Sequence, residues 1–349
     1  MGIVAILAAG LWGLGALLGA PKAQRCVLIG ILFIAVIGIT LIFPQNHGLR
    51  VALGGTPAPY LLLLGFAGMA WLYNRGLTAL RRKASTENNM VETPKSTFSA
   101  AELERYARHI VLREIGGPGQ KKLKNARVLV IGAGGLGAPA LQYLAAAGVG
   151  TIGVIDDDVV ENANLQRQVI HTDTRIGMPK VFSAQEAMTA QNPHVTVRPY
   201  QRRLTDEIAD ELFAEYDVIL DGTDNFATRY LANAAAAKQG KPLISGALSQ
   251  WEGQLSVFDP AHGAPCYQCI FPQAPAPGLA PSCAEAGVIG PLPGVVGAMM
   301  AQEAIKLITG AGHVLRGEMM IYDGLYGESR KMTLKKRDDC PICGAKDTP

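Results

Sequence analysis

The chain has 349 residues, with 32 Lys and Arg against 29 Asp and Glu, a formal net charge of +3 and 49% hydrophobic residues. A charge this small gives no basis for nucleic-acid binding, and no solenoid-type repeat recurs along the chain. Beyond a markedly apolar first quarter, about 250 residues remain, enough for one large domain with its own core.

Three uncharged apolar runs come first: Ile3–Gly19, Cys26–Phe43 and Pro57–Tyr73, of 17, 18 and 17 residues. Each approaches the ~17–25 residues that cross a bilayer, so residues 1–83 are expected to form a membrane anchor of about three transmembrane helices in contact with lipid. Met1–Leu7 has no basic segment of the signal-peptide kind, and Ile6 stands where a myristoylation signal needs Ser or Thr. Cys26 opens the second run and reads as an inert, buried residue. Lys22 and Arg25 lie in the first loop and Arg75, Arg81, Arg82 and Lys83 follow the third run, whereas the middle loop carries only Arg50. This bias predicts an outside N-terminus and a cytoplasmic C-terminal part.

Residues 84–98 are rich in Ser, Thr, Asn, Glu and Pro without apolar periodicity and read as a flexible linker. Ser99-Ala100-Ala101-Glu102 is a capping box, and Leu103, Tyr106, Ala107 and Ile110 follow at helical spacing, which puts Arg105 and Arg108 on a helix. Arg127–Ile131 reads as a buried parallel strand. The loop Gly132-Ala133-Gly134-Gly135-Leu136-Gly137 then has the G-x-G-x-x-G spacing, and Ala138–Ala147 is the expected helix with its N-terminus toward a phosphate. A second strand, Thr151–Ile155, delivers Asp156 where a carboxylate accepts both ribose hydroxyls.

These features suit an NAD- or FAD-dependent oxidoreductase as well as an ATP user. Arg167, Lys180 and Asp224 add two cations and a carboxylate, surplus for a nicotinamide but fitted to a phosphoryl centre with Mg²⁺. No G-x-x-x-x-G-K-[ST] run occurs, so attack at the α-phosphate is more natural than hydrolysis at the γ-phosphate. Taken singly, Arg167 and Lys180 also read as surface charges, and Asp224 as the cap of a helix starting near Asn225–Ala227. Short strands at Val195–Val197, Val218–Leu220, Pro242–Ser245 and Gln254–Phe258 alternate with helices near Lys180–Ala190, Asp206–Phe213 and Ala227–Lys238. The fold class is therefore α/β, a Rossmann-like doubly wound sheet with a more antiparallel C-terminal part.

Cys266-Tyr267-Gln268-Cys269 and Cys340-Pro341-Ile342-Cys343 are two C-x₂-C pairs, able to place four thiolates around Zn²⁺ if the fold unites them. Two redox motifs or unligated thiols remain the alternatives. A four-cysteine shell has no open position, so such a zinc is structural, and free paired thiols suggest a reducing compartment. Cys283 follows the Pro-rich stretch Pro272–Pro281, which reads as a loop.

The runs Arg105–Ile110, Gly132–Gly137, Asn164–Gln168, Gly177–Lys180, Asp221–Asn225, Glu252–Gln254 and Cys283–Val288 resemble those of the MoeB/ThiF/HesA family, bacterial relatives of ubiquitin-activating enzymes. The resemblance extends from about Phe98 to Cys343 and makes residues 99–349 an adenylating domain. It implies ATP-dependent adenylation of the C-terminal glycine of a ubiquitin-like sulfur carrier ending in Gly-Gly, MoaD- or ThiS-like, with release of pyrophosphate.

By the same resemblance, Gly132, Gly134, Gly135 and Gly137 form the nucleotide loop, with Gly135 at the phosphates. Asp156 meets the ribose, Asn164 and Arg167 the phosphates, Lys180 the triphosphate, and Asp224 with Asn225 the Mg²⁺ and α-phosphate region. Arg108 serves the site of a neighbouring subunit, which implies a homodimer. Both cysteine pairs match a family zinc site, and Cys283 matches a cysteine assigned in some relatives to carrier or sulfur transfer, an ordinary loop cysteine being the alternative.

The chemistry agrees: a carboxylate attacking a phosphate brings like charges together, which fixed cations offset, and it needs no base because it is already ionised. Molybdopterin, thiamine or another sulfur pathway stays open, with sulfur expected from a separate donor because too little chain follows Cys343 for a rhodanese domain. An oxidoreductase and a non-catalytic membrane adaptor that binds a carrier are the competing classes. A bacterial, multi-pass inner-membrane protein with a cytoplasmic catalytic domain is the expected location.

Overall fold

A computed structural model describes residues 2–90, 97–276 and 283–344. The chain divides into two compact units, Met1–Ser96 and Thr97–Pro349.

The first unit is helical: Gly2–Leu17, Lys22–Ile42, the short Gly48–Ala52, and Ala58–Met90. Val4, Val36, Ile37 and Tyr60 form its small core. Between the second and fourth helices, Arg50 donates from Nε to Gly55 O at 2.8 Å and from Nη1 to Phe43 O at 2.7 Å, which ties the connecting loop to itself. Most large apolar side chains face outward, including Leu17 at 87% exposure and Ile42 at 79%.

The expectation of three spans is met by length and composition in one helix only among the described residues, the 21-residue Lys22–Ile42. Gly2–Leu17 has 16 residues, about 24 Å at 1.5 Å per residue, short of a ~30 Å hydrocarbon core. Ala58–Met90 runs on from its apolar first half into a polar, basic stretch. The expected linker is also corrected in part, because that helix continues to Met90 through residues such as Ala84 that favour helix. Residues 91–96 lie outside the described residues.

The second unit opens with the expected capping box. Ser99 Oγ accepts from Glu102 N at 3.2 Å and Glu102 Oε2 accepts from Ser99 N at 2.8 Å, starting helix Ala100–Ile110. Burial would raise the pKa of Glu102, but hydrogen bonds from Lys124 and Ser99 outweigh it and hold the carboxyl at about 2.

Eight strands follow: β1 (Arg127–Ile131), β2 (Thr151–Ile155), β3 (Thr196–Tyr200), β4 (Val218–Asp221), β5 (Leu243–Leu248), β6 (Glu252–Phe258), β7 (Glu318–Asp323) and β8 (Glu328–Thr333). They form one sheet in the order β3-β2-β1-β4-β5-β6-β7-β8. β1 to β5 are parallel, and β6, β7 and β8 join antiparallel, as the alternation of elements predicts. Successive strand residues point to opposite faces. Val128, Val130, Val154 and Leu220 accordingly enter one core, while Leu129, Ile131, Ile155 and Ile219 enter the other.

Two strands, β7 and β8, and the 19-residue helix Pro291–Thr309 were not among the predicted elements. That helix packs tightly on the start of the helix after β1. A Cβ on Gly297 would sit 2.3 Å from Leu136 O, so glycine is required there for close approach.

Candidate active site

Strand order reverses direction between β1, with β2 on one side, and β4 on the other. Doubly wound sheets bind ligands beyond the strand ends at such a point, and a cleft of about 1170 Å³ opens here. Gly132, Gly134, Gly135 and Asp156 line it together with Arg167, Lys180, Asp224 and Asn225. Residues spread from position 132 to position 225 are thus brought to one cavity.

The glycine loop is held from several sides. A Cβ on Gly137 would meet Gly132 O at 1.9 Å, so Gly137 closes the turn by steric necessity and does not itself line the cleft. Asp156 Oδ2 accepts from Ala133 N at 2.7 Å, and Oδ1 accepts from Asp158 N at 2.8 Å. The Ala133 carbonyl faces His171 Nε2 at 2.9 Å, and His171 Nδ1 lies 2.8 Å from Ser183 Oγ. A carbonyl only accepts, so Nε2 carries the proton and Nδ1 accepts from the serine. Burial lowers the pKa of His171, which favours this neutral tautomer.

The cations are positioned by their neighbours. Arg167 donates from Nη2 to Asn164 Oδ1 at 3.1 Å and from Nη1 to Ala163 O at 3.2 Å. Asn164 does not line the cleft; its side chain accepts from Arg167 and donates from Nδ2 to Glu161 Oε2 at 3.4 Å. Lys180 is 4% exposed, too buried for the surface-charge alternative, and its Nζ lies 2.7 Å from Asp158 Oδ2.

After β4, Asp221 is fully buried and accepts from Thr223 Oγ1 at 2.6 Å, Thr223 N at 3.1 Å and Ser245 Oγ at 2.9 Å. Arg229 Nη1 stands 3.3 Å from Asp221 Oδ2, and its guanidinium also donates to Ser245 Oγ, Gly246 O and Thr223 O. Asn225 caps helix Phe226–Lys238, Oδ1 accepting from Thr228 N at 2.9 Å. The cap is therefore Asn225 and not Asp224, which is exposed at the cleft.

Arg108 is exposed on helix Ala100–Ile110 and does not line this cleft. Cys283 begins the short helix Cys283–Ala286; its side chain lies outside the described ones, as do residues 277–282. Sequence reasoning missed Arg229 and His171 as site-building residues. The one available signal for Arg229 was a lone arginine in an Ala-rich helix, one or two turns after a strand-end aspartate.

The two cysteine pairs do meet. Sγ–Sγ distances are 3.8 Å for Cys266–Cys269, 3.5 Å for Cys266–Cys340 and 3.4 Å for Cys269–Cys343, and all four sulfurs lie within 4.8 Å of one another. Zn–S bonds of ~2.3 Å in a tetrahedron separate sulfurs by about 3.8 Å, whereas a disulfide requires ~2.05 Å. Arg337 N donates to Cys269 Sγ at 3.5 Å. Burial pushes the Cys340 thiol up, but backbone N–H groups of Cys343 and Ile342 outweigh it and bring the pKa to about 7. Burial raises that of Cys266, a cost to the thiolate that a divalent cation offsets. The donor set fits a closed Zn²⁺ site.

A doubly wound sheet with a glycine loop at its switch point, ringed by fixed cations, defines a nucleotide-binding protein. Residues 106–342 match the ThiF family, and the chain belongs to it. It is 51% identical over 255 residues to a sulfur carrier protein adenylyltransferase of Thermus thermophilus, covering 72% of this chain and 94% of that protein. It is 52% identical over 251 residues to a probable adenylyltransferase/sulfurtransferase MoeZ of Mycobacterium tuberculosis, covering 71% of this chain but 64% of MoeZ, just under two thirds. Identity to the SAMP-activating enzyme E1 of Haloferax volcanii is 47% over 248 residues, 71% of this chain and 91% of that one. Among solved structures, E. coli MccB with ATP superposes with a TM-score of 0.60 at 22% identity, over 69% of this chain and 74% of MccB; it shares the fold.

Proposed function

We propose that the chain uses ATP to adenylate the C-terminal glycine of a ubiquitin-like sulfur-carrier protein, MoaD- or ThiS-like, and releases pyrophosphate. One observation carries this: the glycine loop, Asp156, Arg167, Lys180 and Asp224 share one cleft in a chain half identical to an adenylyltransferase over nearly that protein's whole length. The oxidoreductase reading gives way to these relatives.

In this reading the loop N–H groups bind phosphate and Asp156, already oriented by Ala133 and Asp158, accepts the ribose hydroxyls. Arg167 and Lys180 offset the charge that accumulates as carboxylate and α-phosphate approach. Mg²⁺, when bound, would neutralise phosphoryl oxygens, with Asp224 its ligand. Asn164 acts by holding Arg167. The four cysteines would hold a structural Zn²⁺. Arg108, exposed and not among the residues lining its own cleft, fits a contribution to the site of a second copy in a homodimer, and sulfur would come from a separate donor.

The first unit, with its outward apolar side chains, is proposed as a lipid-embedded anchor in a bacterial inner membrane, leaving the catalytic unit in the cytoplasm with ATP and reducing conditions. The test offers purified protein a panel of Gly-Gly-ending carriers and follows carrier-dependent exchange of labelled pyrophosphate into ATP. No exchange with any carrier would refute adenylation. Release of the full chain from membranes by a high-salt wash would refute the anchor, since burial in lipid is not screened by salt.

A further inference from the structure

Four buried side-chain polar atoms lack a hydrogen-bond partner among the described residues: His109 Nδ1, Gln120 Oε1, Gln168 Oε1 and Asn233 Nδ2. Only Gln168 among these four residues lines the cleft. It is 4% exposed, and its backbone is fixed, with N donating to Asn164 O at 3.0 Å and O accepting from His171 N at 3.1 Å. Its Nε2 lies 3.5 Å from the point that a Cβ on Gly134 would occupy, so the carboxamide lies against the glycine loop.

Its polar neighbours are committed elsewhere. Arg167 is turned to Asn164 and Ala163, Lys180 to Asp158, and the Nε2 proton of His171 to Ala133 O. A buried amide oxygen left unpaired, as Gln168 Oε1 is, is destabilising, and such groups are retained where a ligand or ordered water completes them. The position beside Gly134 faces the region where loop N–H groups gather phosphate.

Resting on the reading of the cleft as an ATP site, we infer that Gln168 is a nucleotide contact completed only by ligand. Its NH₂ end donates to a phosphoryl oxygen held at the glycine loop, and Oε1 accepts from a water that enters in the phosphate's hydration shell. The two ends of the amide exchange by rotation without changing its shape.

The test measures calorimetric affinity for a non-hydrolysable ATP analogue with Mg²⁺, alongside thermal unfolding, in the full-length protein. Gln168→Met keeps the length of the side chain and removes both polar ends. Its unfolding midpoint should equal or exceed that of the wild type, since an unpaired group is gone, while affinity falls about tenfold. Gln168→Glu places a negative charge beside the phosphates and should lose about a hundredfold. Wild-type affinity in Gln168→Met, or loss of stability and affinity together, would overturn the inference and leave Gln168 a packing residue. Failure of the wild type itself to bind the analogue would instead remove the ATP reading and this inference with it.

Discussion

Replacing Arg229 by Leu removes one partner of an ion pair whose side chains are 6% and 1% exposed. Asp221 would keep Thr223 and Ser245 as donors but lose the cation that justifies its charge inside the protein. The carbonyls of Gly246 and Thr223 would lose a donor as well. Breaking a buried pair on one side costs about 3–5 kcal/mol, because the remaining charge is uncompensated. For a unit of this size that corresponds to a fall of roughly 6–20 °C in the unfolding midpoint. Adding Asp221→Asn to Arg229→Leu should restore about half of the loss, since the stranded charge is then gone. Calorimetry on the wild type, the single variant and the double variant reads all three values. A single variant within about 1 kcal/mol of wild type, or a double variant less stable than the single, would refute the account of this pair as the brace beneath the Asp224 loop.

Asp224→Ala should lower carrier-dependent pyrophosphate exchange by about 10²-fold or more while leaving the fold intact; near-normal exchange removes Asp224 from the chemistry. Protein purified without chelator should carry about one zinc per chain, and Cys340→Ser should lower both zinc content and unfolding temperature, checked by metal analysis and calorimetry. The pKa of His171 is lowered in the folded chain, so between its folded value and the unfolded value near 6.5 the unfolded state binds more protons. Its contribution to stability is therefore complete above about pH 6.5 and lost as pH falls below it. Denaturant titrations at about pH 7.5 and 5.5 should show a larger loss in wild type than in His171→Gln, and equal losses would exclude His171 as the titrating group.

The parallel half of the sheet was legible because each strand is a short apolar run followed by a loop with a chemical purpose: Arg127–Ile131 before the glycines, Thr151–Ile155 before Asp156. The cysteine pairs were legible because ligand spacing is a local property of sequence. β8 was not, since all six of its residues, Glu328–Thr333, are exposed and no buried face imposes an alternation. Helix Pro291–Thr309 was hidden by Pro291, Pro293, Gly294 and Gly297, residues that normally punctuate helices but serve here at its N-terminus and its close approach to Leu136. Arg229 and His171 act through tertiary contacts to both side-chain and backbone atoms, which leave no motif. Asp224 and Asn225 were recognised as a pair, yet the backbone geometry that gives the cap to Asn225 and leaves Asp224 at the cleft is not written in the sequence.

The four cysteines join positions 266–269 to 340–343, and the span between them contains helix Pro291–Thr309, β7 and β8. A metal holding both ends would turn that span into a closed ring, and in the unfolded chain this would forbid conformations worth about 4 kcal/mol of entropy by the cross-link relation. The ring is threaded through the nucleotide site, because a Cβ on Gly135 would lie 3.1 Å from Pro293, and Gly297 is pressed on Leu136. Chelation at the tail should therefore register at the far end of the ring as faster amide exchange in the glycine loop, making nucleotide affinity a remote gauge of whether the clasp is shut.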